Sequence, residues 1–552
     1  MKKTALTILL TALTMATGYA QGAYEALLFS KNNYEGTARS VAMGNAFTAL
    51  GGDLGAVSIN PAGSAVAGYS QFSFTPSITV SSTTTQGVIA PGSSTLDYFE
   101  NSYRSNFCKG AMPNMGITFD FKTGRRSGLK NFTFGFVVNR SNSWCEDFYA
   151  HGTNYNTSFA AAAAVAATDN VAYMNESNPS PRYSYLDMIG EDAYYSGLPW
   201  KDVVAYQGGI ISHLGGDGEE FIGATEVISN GSIIQGGPLY QTCGRNTYGG
   251  KNDYILNFGA NISDVVYIGF NLGLVSLNYE STEYFKEKAM DKTDFEVSFT
   301  DSEGNEDMTC FEDLMYRYDY SATGDGVYGK FGIIVTPGNG LRLGAAIQTP
   351  TAMEIREIWN ESAATNFSSK QFSASAESIT GDYTYKFTSP FRANFGLAYT
   401  LGSFGIVSAD YELASYGRMK YSIDRFNMTD EDIDYFNAVN NEIREAYRTA
   451  HQLRIGAEFK PISEFAVRAG YNLMTSAADK TIGNSLALGI GYISKKSFFA
   501  DLACRYSFAT KEYYMPYSDY QIDESMEVIN YSPEIEIKSQ NWKVLLTLGW
   551  RF

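Results

Sequence analysis

Trp542-Lys-Val-Leu-Leu-Thr-Leu-Gly-Trp-Arg-Phe552, the last stretch of the chain, alternates between apolar residues and small or polar ones at every position but Leu545. Phe552, Trp550, Leu548, Leu546, Val544 and Trp542 share one face, and Arg551, Gly549, Thr547, Leu545 and Lys543 share the other. Successive side chains of a strand point to opposite sides, so this is a strand with one wholly apolar face and aromatics at both ends. A strand crossing a bilayer needs that pattern, because both interfaces favour aromatic girdles. A strand of a soluble sandwich can share the alternation, but a terminal Phe is unusual there.

The same dyad recurs upstream. Phe132, Phe134 and Phe136 oppose Thr133 and Gly135; Leu453, Ile455 and Phe459 oppose Arg454, Gly456 and Glu458; Phe498, Leu502 and Tyr506 oppose Asp501 and Arg505. Charges keep to one face, and a charge on a lipid face would cost about 2–4 kcal/mol at mid-bilayer. The charged face, which also holds Asp120, Asp410 and Glu412, is the interior of a barrel; packing of the lumen and a functional lining both remain open for it.

About fourteen strands are expected, at roughly 70–81, 112–122, 130–141, 251–260, 264–281, 316–335, 341–360, 382–400, 403–423, 447–460, 464–476, 481–494, 497–514 and 540–552. An even number suits a single-chain antiparallel barrel. Every second connection is short, as at 262–264, 337–340 and 401–403; the others are mostly long and polar, as at 82–111, 142–250 and 282–315. Short inner turns against long outer loops put both ends of the chain on the inner, periplasmic side. The segment at 142–250 is too long for a passive link and includes a helix candidate, Phe159–Ala167. A fold over the mouth and a variable surface loop are both open for it. Met428–Gln452 contains a further amphipathic helix candidate.

Composition agrees. Tyr 40, Phe 35 and Gly 53 are high and His 3 is low, while mean hydropathy is only −0.20. This suits half-buried strands better than buried helices. A net charge of −18 argues against nucleic-acid binding. Met1–Ala20 has the basic start, short apolar run and small-residue end of an export signal, with cleavage expected after Ala20. No later run of about 18 apolar residues exists, so no helical span is expected. Of the five cysteines, Cys108, Cys145, Cys243 and Cys310 are placed in outer loops, where pairing is open, and Cys504 in a strand as a free apolar filler. No CxxC pair occurs, which argues against a metal cluster. No cofactor and no catalytic step are expected.

Between leader and barrel lies Glu35–Gly63, rich in Gly and Ala and without alternation. Residues 21–69 are expected to be a plug and 70–552 the barrel. Thr37–Leu50 is a helix candidate with Val41, Phe47 and Leu50 near one face and Gly51-Gly52 as its stop. Asn60-Pro61-Ala62-Gly63 is a turn, since Asn and Gly accept positive φ and Pro fixes its own. Gly44, Gly51, Gly52, Gly55 and Gly63 serve either close packing and rearrangement or only tight turns.

This plug stretch, with Asn60-Pro61-Ala62, Phe72-Ser-Phe-Thr-Pro76, Leu341–Thr351, Thr388–Tyr399, Ala409–Glu412, Leu453–Phe459, Arg468–Tyr471 and Leu545–Phe552 in order, resembles the FadL/TodX family of outer-membrane transporters of long-chain fatty acids and other hydrophobic compounds. The resemblance implies an all-β, fourteen-stranded transmembrane barrel closed by an N-terminal hatch with short helices. It implies passive uptake of a hydrophobic small molecule, which leaves sideways at a kinked third strand. Leu27, Leu28 and Phe29 would then reach the ligand, the alternative being a disordered tail or periplasmic docking. Arg39 would meet a carboxylate or else form a hatch salt bridge, and Phe47, Asn60, Pro61, Ala62 and Gly63 would shape the gate. Trp550 and Phe552 would be read by the barrel-assembly machinery, with periplasmic chaperones before it. A Gram-negative outer membrane, contact with its lipid and lipopolysaccharide, and a monomer follow. The third expected strand carries Gly135 but neither Pro nor a bulge signal, so no kink is legible there. The rivals are a haem receptor ligated by His151 or His213, a general porin, which would lack the hatch, and an outer-membrane protease or phospholipase, for which no Ser/His/Asp setting is present.

Overall fold

The computed structural model describes residues 22–88, 99, 102–177, 182–215, 219–300, 306–423, 428–479, 481–495, 497–521 and 530–552; the expected leader lies outside them. Fourteen antiparallel wall strands form one closed ring. They are β1 (Gln71–Gly87), β2 (Tyr103–Lys122), β3 (Leu129–Asn154), β4 (Leu239–Ile262), β5 (Val266–Ala289), β6 (Glu306–Gly338), β7 (Leu341–Gln348, resuming at Ala352–Phe367), β8 (Gly381–Thr388, resuming at Arg392–Leu401), β9 (Gly405–Ser415, then Lys420–Tyr421), β10 (Thr449–Ile462), β11 (Phe465–Thr475), β12 (Ile482–Ile493), β13 (Phe498–Tyr514) and β14 (Ile535–Arg551). Closure is made by β1 against β14, from Gln71 opposite Arg551 to Gly87 opposite Ile535. A strand edge left open in lipid would expose unpaired backbone groups, and a closed ring has none.

The two faces of the wall sort as the dyad requires. Phe258, Phe395, Val467 and Trp542 are exposed outward, while Asp410, Arg454 and Thr547 are buried inward. An apolar belt that encircles the molecule is stable only against lipid. Short links at 263–265, 339–340, 402–404 and 463–464 lie at the end where Ser70 and Phe552 exchange backbone hydrogen bonds.

Strands run further outward than the dyad alone predicts. β3 continues to Asn154 and β4 starts at Leu239, so the largest connection is 155–238 rather than 142–250. Above the belt neither face meets lipid, and the periodic signal fades although backbone pairing goes on. For the same reason Cys108, Cys145, Cys243 and Cys310 lie on β2, β3, β4 and β6 and not in loops, and all five cysteines are free. Pro350 and Pro390, which lack an N–H, interrupt β7 and β8.

Residues ahead of β1 fill the ring with α1 (Ala23–Ser30), α2 (Ala38–Ala42) and α3 (Gly63–Val66). The helix expected over Thr37–Leu50 stops at Ala42, because Gly44 and Asn45 take φ of +63° and +60°. Inward-facing glycines of the wall receive this hatch. A Cβ built at Gly269, Gly332, Gly344, Gly456 or Gly470 would collide with Pro61, Asn60, Thr48, Met43 or Gly44 respectively. The glycines of the inner dyad face are thus the socket of the plug.

Outside the ring, α4 (Phe159–Ser177), α5 (Trp200–Gln207) and short hairpins build a cap whose core joins the strand extensions through Phe285, Phe311 and Ile537. Glu287 of β5 anchors it, accepting from Phe159 N at 2.7 Å and Ser158 Oγ at 2.9 Å at the positive end of α4. A third outer helix, α6 (Asp430–Ala446), is capped by Thr429. Among the described residues no helix is long and apolar enough to cross a membrane.

Gly332→Val should unseat Asn60 at an overpacking cost of about 1–3 kcal/mol. The expected readout is a lower melting temperature and higher ion conductance in a planar bilayer; wild-type values for both would show that hatch and wall are not in contact there.

Candidate functional site

The outer half of the lumen is an apolar, aromatic chamber, and α1 lies in it. Ala23, Ala26, Leu27 and Phe29 pack among Trp144, Tyr279, Tyr320, Met353, Trp359 and Phe387 of the wall, with Leu28 at the margin. The Phe29 ring meets Trp144 and Tyr279 edge-on, at 6.3 and 5.9 Å between centroids. Phe436, Val439 and Ile443 of α6 join the same cluster. Trp200 of the cap touches both this cluster and the cap core, and stands 5.6 Å from Trp359.

The last carbonyls of α1 rest on two buried cations of the wall. Lys251 Nζ donates to Phe29 O at 2.9 Å and to Lys31 O at 2.7 Å, and Arg392 donates to Ser30 O at 2.6 Å. The negative end of a helix suits such neighbours. In the sequence Arg392 is legible as a charge opposite the face of Phe391, Phe395 and Leu397, whereas Lys251 is not, because it opens a strand expected to start there.

Below the chamber the hatch is stitched to the ring. Asn60 is fully buried, and its Nδ2 donates to Thr48 O at 2.6 Å and to Ile333 O of β6 at 3.1 Å, while its Oδ1 accepts from Ala62 N at 3.1 Å. The turn at Asn60–Gly63 is present, with Gly63 N donating to Asn60 O at 3.0 Å, but neither residue has positive φ. Asn60 is there for its amide and Gly63 for a backbone contact with Gly51. Pro61 O accepts from Asn257 at 3.1 Å, Ala62 packs on Tyr267 and Ile334, and Phe47 packs on Tyr34, Leu50 and Ala398. Arg39 pairs with Glu458 at 3.0 Å, among residues of the inner end such as Lys460 and Arg551.

The side wall carries a seam that the sequence did not signal. The β2–β3 ladder runs from Lys122 opposite Asn131 up to Asn114 opposite Asn139 and goes no further among the described residues. At that height the β3–β4 register slips between Arg140 and Asn142, leaving Ser141 as the extra residue of a bulge. A one-residue slip exchanges the faces. Phe132, Phe134 and Phe136 face outward below it, whereas Trp144 and Phe148 are buried above it. Upper β3 thereby parts from β2 while staying paired with β4 up to Asn154. The flaps are held by side chains: Ser105 Oγ donates to Asp147 O at 2.5 Å, Thr85 Oγ1 to Tyr149 O at 2.6 Å, and Lys109 Nζ to Gly249 O at 2.7 Å and Trp144 O at 3.2 Å. Trp144 therefore lines both the chamber and the seam.

The histidines are spread out. His151 Nδ1 is 2.5 Å from the Tyr240 hydroxyl on the upper wall, and His213 stacks on Tyr185 in the cap at 4.2 Å. Among the described residues no three His, Cys, Asp or Glu side chains are grouped as metal ligands.

No family model and no curated protein matches the chain. Among solved structures it is similar to the toluene transporter TodX of P. putida, at 12% identity and a TM-score of 0.48, covering 94% of this chain and 99% of that one. It is also similar to the toluene transporter TbuX of Ralstonia pickettii (13%, TM-score 0.45, 94% and 99%) and to a Pseudomonas aeruginosa FadL homologue (10%, TM-score 0.46, 95% and 99%). These are proteins of the group that the sequence motifs resemble. At such scores they add no weight to the ring, which stands on its own ladder.

Glu25 of α1 is half-buried, enclosed by the wall and close to Glu357 and Glu442. Burial, then Glu357, pushes its carboxyl up from 4.5 to about 8. The folded state therefore prefers the protonated form, and this stabilisation is full below pH 4.5, declines as pH rises and is gone above about 8. Hydrogen-exchange protection of α1, corrected for intrinsic rates, should fall between pH 5 and 8 in the wild type and stay flat in Glu25→Gln. Parallel profiles would remove Glu25 as the cause.

Proposed function

We propose that the protein lies in a Gram-negative outer membrane and admits hydrophobic compounds, such as long-chain fatty acids, by passive diffusion. The observation that carries this reading is the apolar chamber itself, floored by the hatch and bordered by the seam. A water-filled pore does nothing for a solute that avoids water, whereas a chamber of this kind gains roughly 25 cal/mol per Å² of apolar surface it covers. TodX, TbuX and the FadL homologue are described as transporters of toluene or as relatives of FadL, in keeping with such cargo.

In this mechanism α1 holds the place of the cargo. Leu27 and Phe29 occupy the space of an apolar chain, and the Phe29, Ser30 and Lys31 carbonyls occupy Lys251 and Arg392. When α1 withdraws, a solute arriving past Trp200 takes up the apolar surface, and a carboxylate takes up the two cations. The solute then leaves between the flaps of β2 and β3 into the membrane, while the hatch blocks the axial path. Four hatch residues, Asn60, Pro61, Ala62 and Gly63, keep that block seated; Phe47 packs its core.

Proteoliposomes carrying the protein should take up oleate several-fold faster than empty ones while glucose uptake stays at background. Free passage of glucose without faster oleate uptake would sink the proposal. Deleting Ser141 should restore one register along β3, zip the seam to β2 and cut oleate flux about tenfold in a barrel that still shows heat-modifiable mobility. Undiminished flux in that folded variant would rule out the lateral route.

A further inference from the structure

A second cavity, of about 240 Å³, lies between hatch and wall at the short-turn end. Its lining has an excess of cations: Arg39, Arg342, Lys460, Arg468 and Arg551 against Asp53, Glu458 and Asp501. That local balance is the reverse of the chain's net −18. The three carboxylates are already taken. Glu458 accepts Arg39 at 3.0 Å, Arg468 at 2.6 Å and Lys460 at 3.5 Å; Asp501 accepts Arg468 at 2.5 Å. Asp53 accepts the Thr37 hydroxyl at 2.7 Å and Gly55 N at 2.9 Å.

Two guanidinium groups remain. Among the described residues neither Arg342 nor Arg551 has a carboxylate within 4.0 Å, and the Nε of each is buried without a hydrogen-bond partner. Arg551 is held over the Tyr69 ring at 4.5 Å and beside Phe499 at 5.4 Å, contacts that fix a cation without using its N–H donors. A planar guanidinium presents paired donors that match carboxylate and phosphate oxygens. We propose that this crevice is a binding site for an oxyanion, carboxylate or phosphate, held by Arg342 and Arg551.

The site differs from the Lys251–Arg392 pair, which lies above the hatch and is occupied by α1. Two sources could supply its ligand: the headgroup of an amphiphile, or a free small anion. Calorimetric titration of the full chain in maltoside detergent, with inorganic phosphate and with octanoate, separates them. Saturable binding of either probe, weakened at least tenfold in Arg342→Gln/Arg551→Gln and partly restored in Arg342→Lys/Arg551→Lys, supports the site. Phosphate alone indicates a free anion, octanoate alone a headgroup, and mutual competition both. Binding of neither probe, or equal binding to the double Gln variant, overturns the proposal. Should that variant not fold, the melting temperature of the wild type decides: a rise with either probe that chloride at equal ionic strength does not give supports the site, and no rise overturns it. Only the octanoate arm leans on the uptake reading, so phosphate binding with no oleate flux would fell that reading and leave this site standing.

Discussion

A wall strand in lipid has no water to turn to, so each of its N–H and C=O groups must find a partner inside the protein. The architecture follows from that constraint. The ring closes β1 on β14, and where the ladder fails, side chains take over. At the proline breaks of β7 and β8, Gly329 N donates to the Thr349 hydroxyl at 3.0 Å and Thr351 N to the Ser389 hydroxyl at 3.0 Å. At the seam, Ser105, Thr85 and Lys109 do the same for β3. At both kinds of break side chains thus bridge strands that the ladder no longer joins.

The interior obeys a second balance. Charges kept off the lipid face collect in the lumen, where a lone buried charge is costly and a fully partnered one is tolerated. Glu412 sits between Arg392 and Arg454, and Glu458 between Arg39 and Arg468. These groups span strand to strand and strand to hatch, which makes the charged dyad face chiefly the packing of a filled lumen. Arg342 and Arg551, at the rim, are left over.

How much of this could be read from sequence depends on range. Period-two patterning, charge segregation and the alternation of short and long links each repeat along the chain, and together they convey the ring and the side on which its ends lie. The bulge at Ser141 has no such signature: nothing in Arg140-Ser141-Asn142 distinguishes it from strand, and the groups that meet it, Asn33 N on the Ser141 carbonyl at 2.6 Å and Asp253 on its hydroxyl at 2.8 Å, are remote in sequence. Asn60-Pro61-Ala62 pointed to the hatch, yet the reason for Asn60, an amide reaching across to β6, appears only when residues far apart in sequence are brought together. In sequence nothing sets the glycines at 332, 344 and 470 apart from other small residues of a strand; their role as a socket depends on a partner segment almost three hundred residues or more away. Arg39 was ambiguous for the same reason.

That socket bears on how the molecule comes to exist. Plug and wall touch around the ring, through side-chain atoms of Asn60 and Pro61 at Gly332 and through backbone atoms at Gly344 and Gly470, with no clearance for a Cβ at any of the three. A folded plug of that fit cannot be threaded into a finished ring, nor drawn out of one whole. The residues ahead of β1 must therefore already be lying across the forming sheet when β14 meets β1. The hatch is then a template for the circumference as well as an obstruction, and the order of assembly is written into the absence of a methyl group.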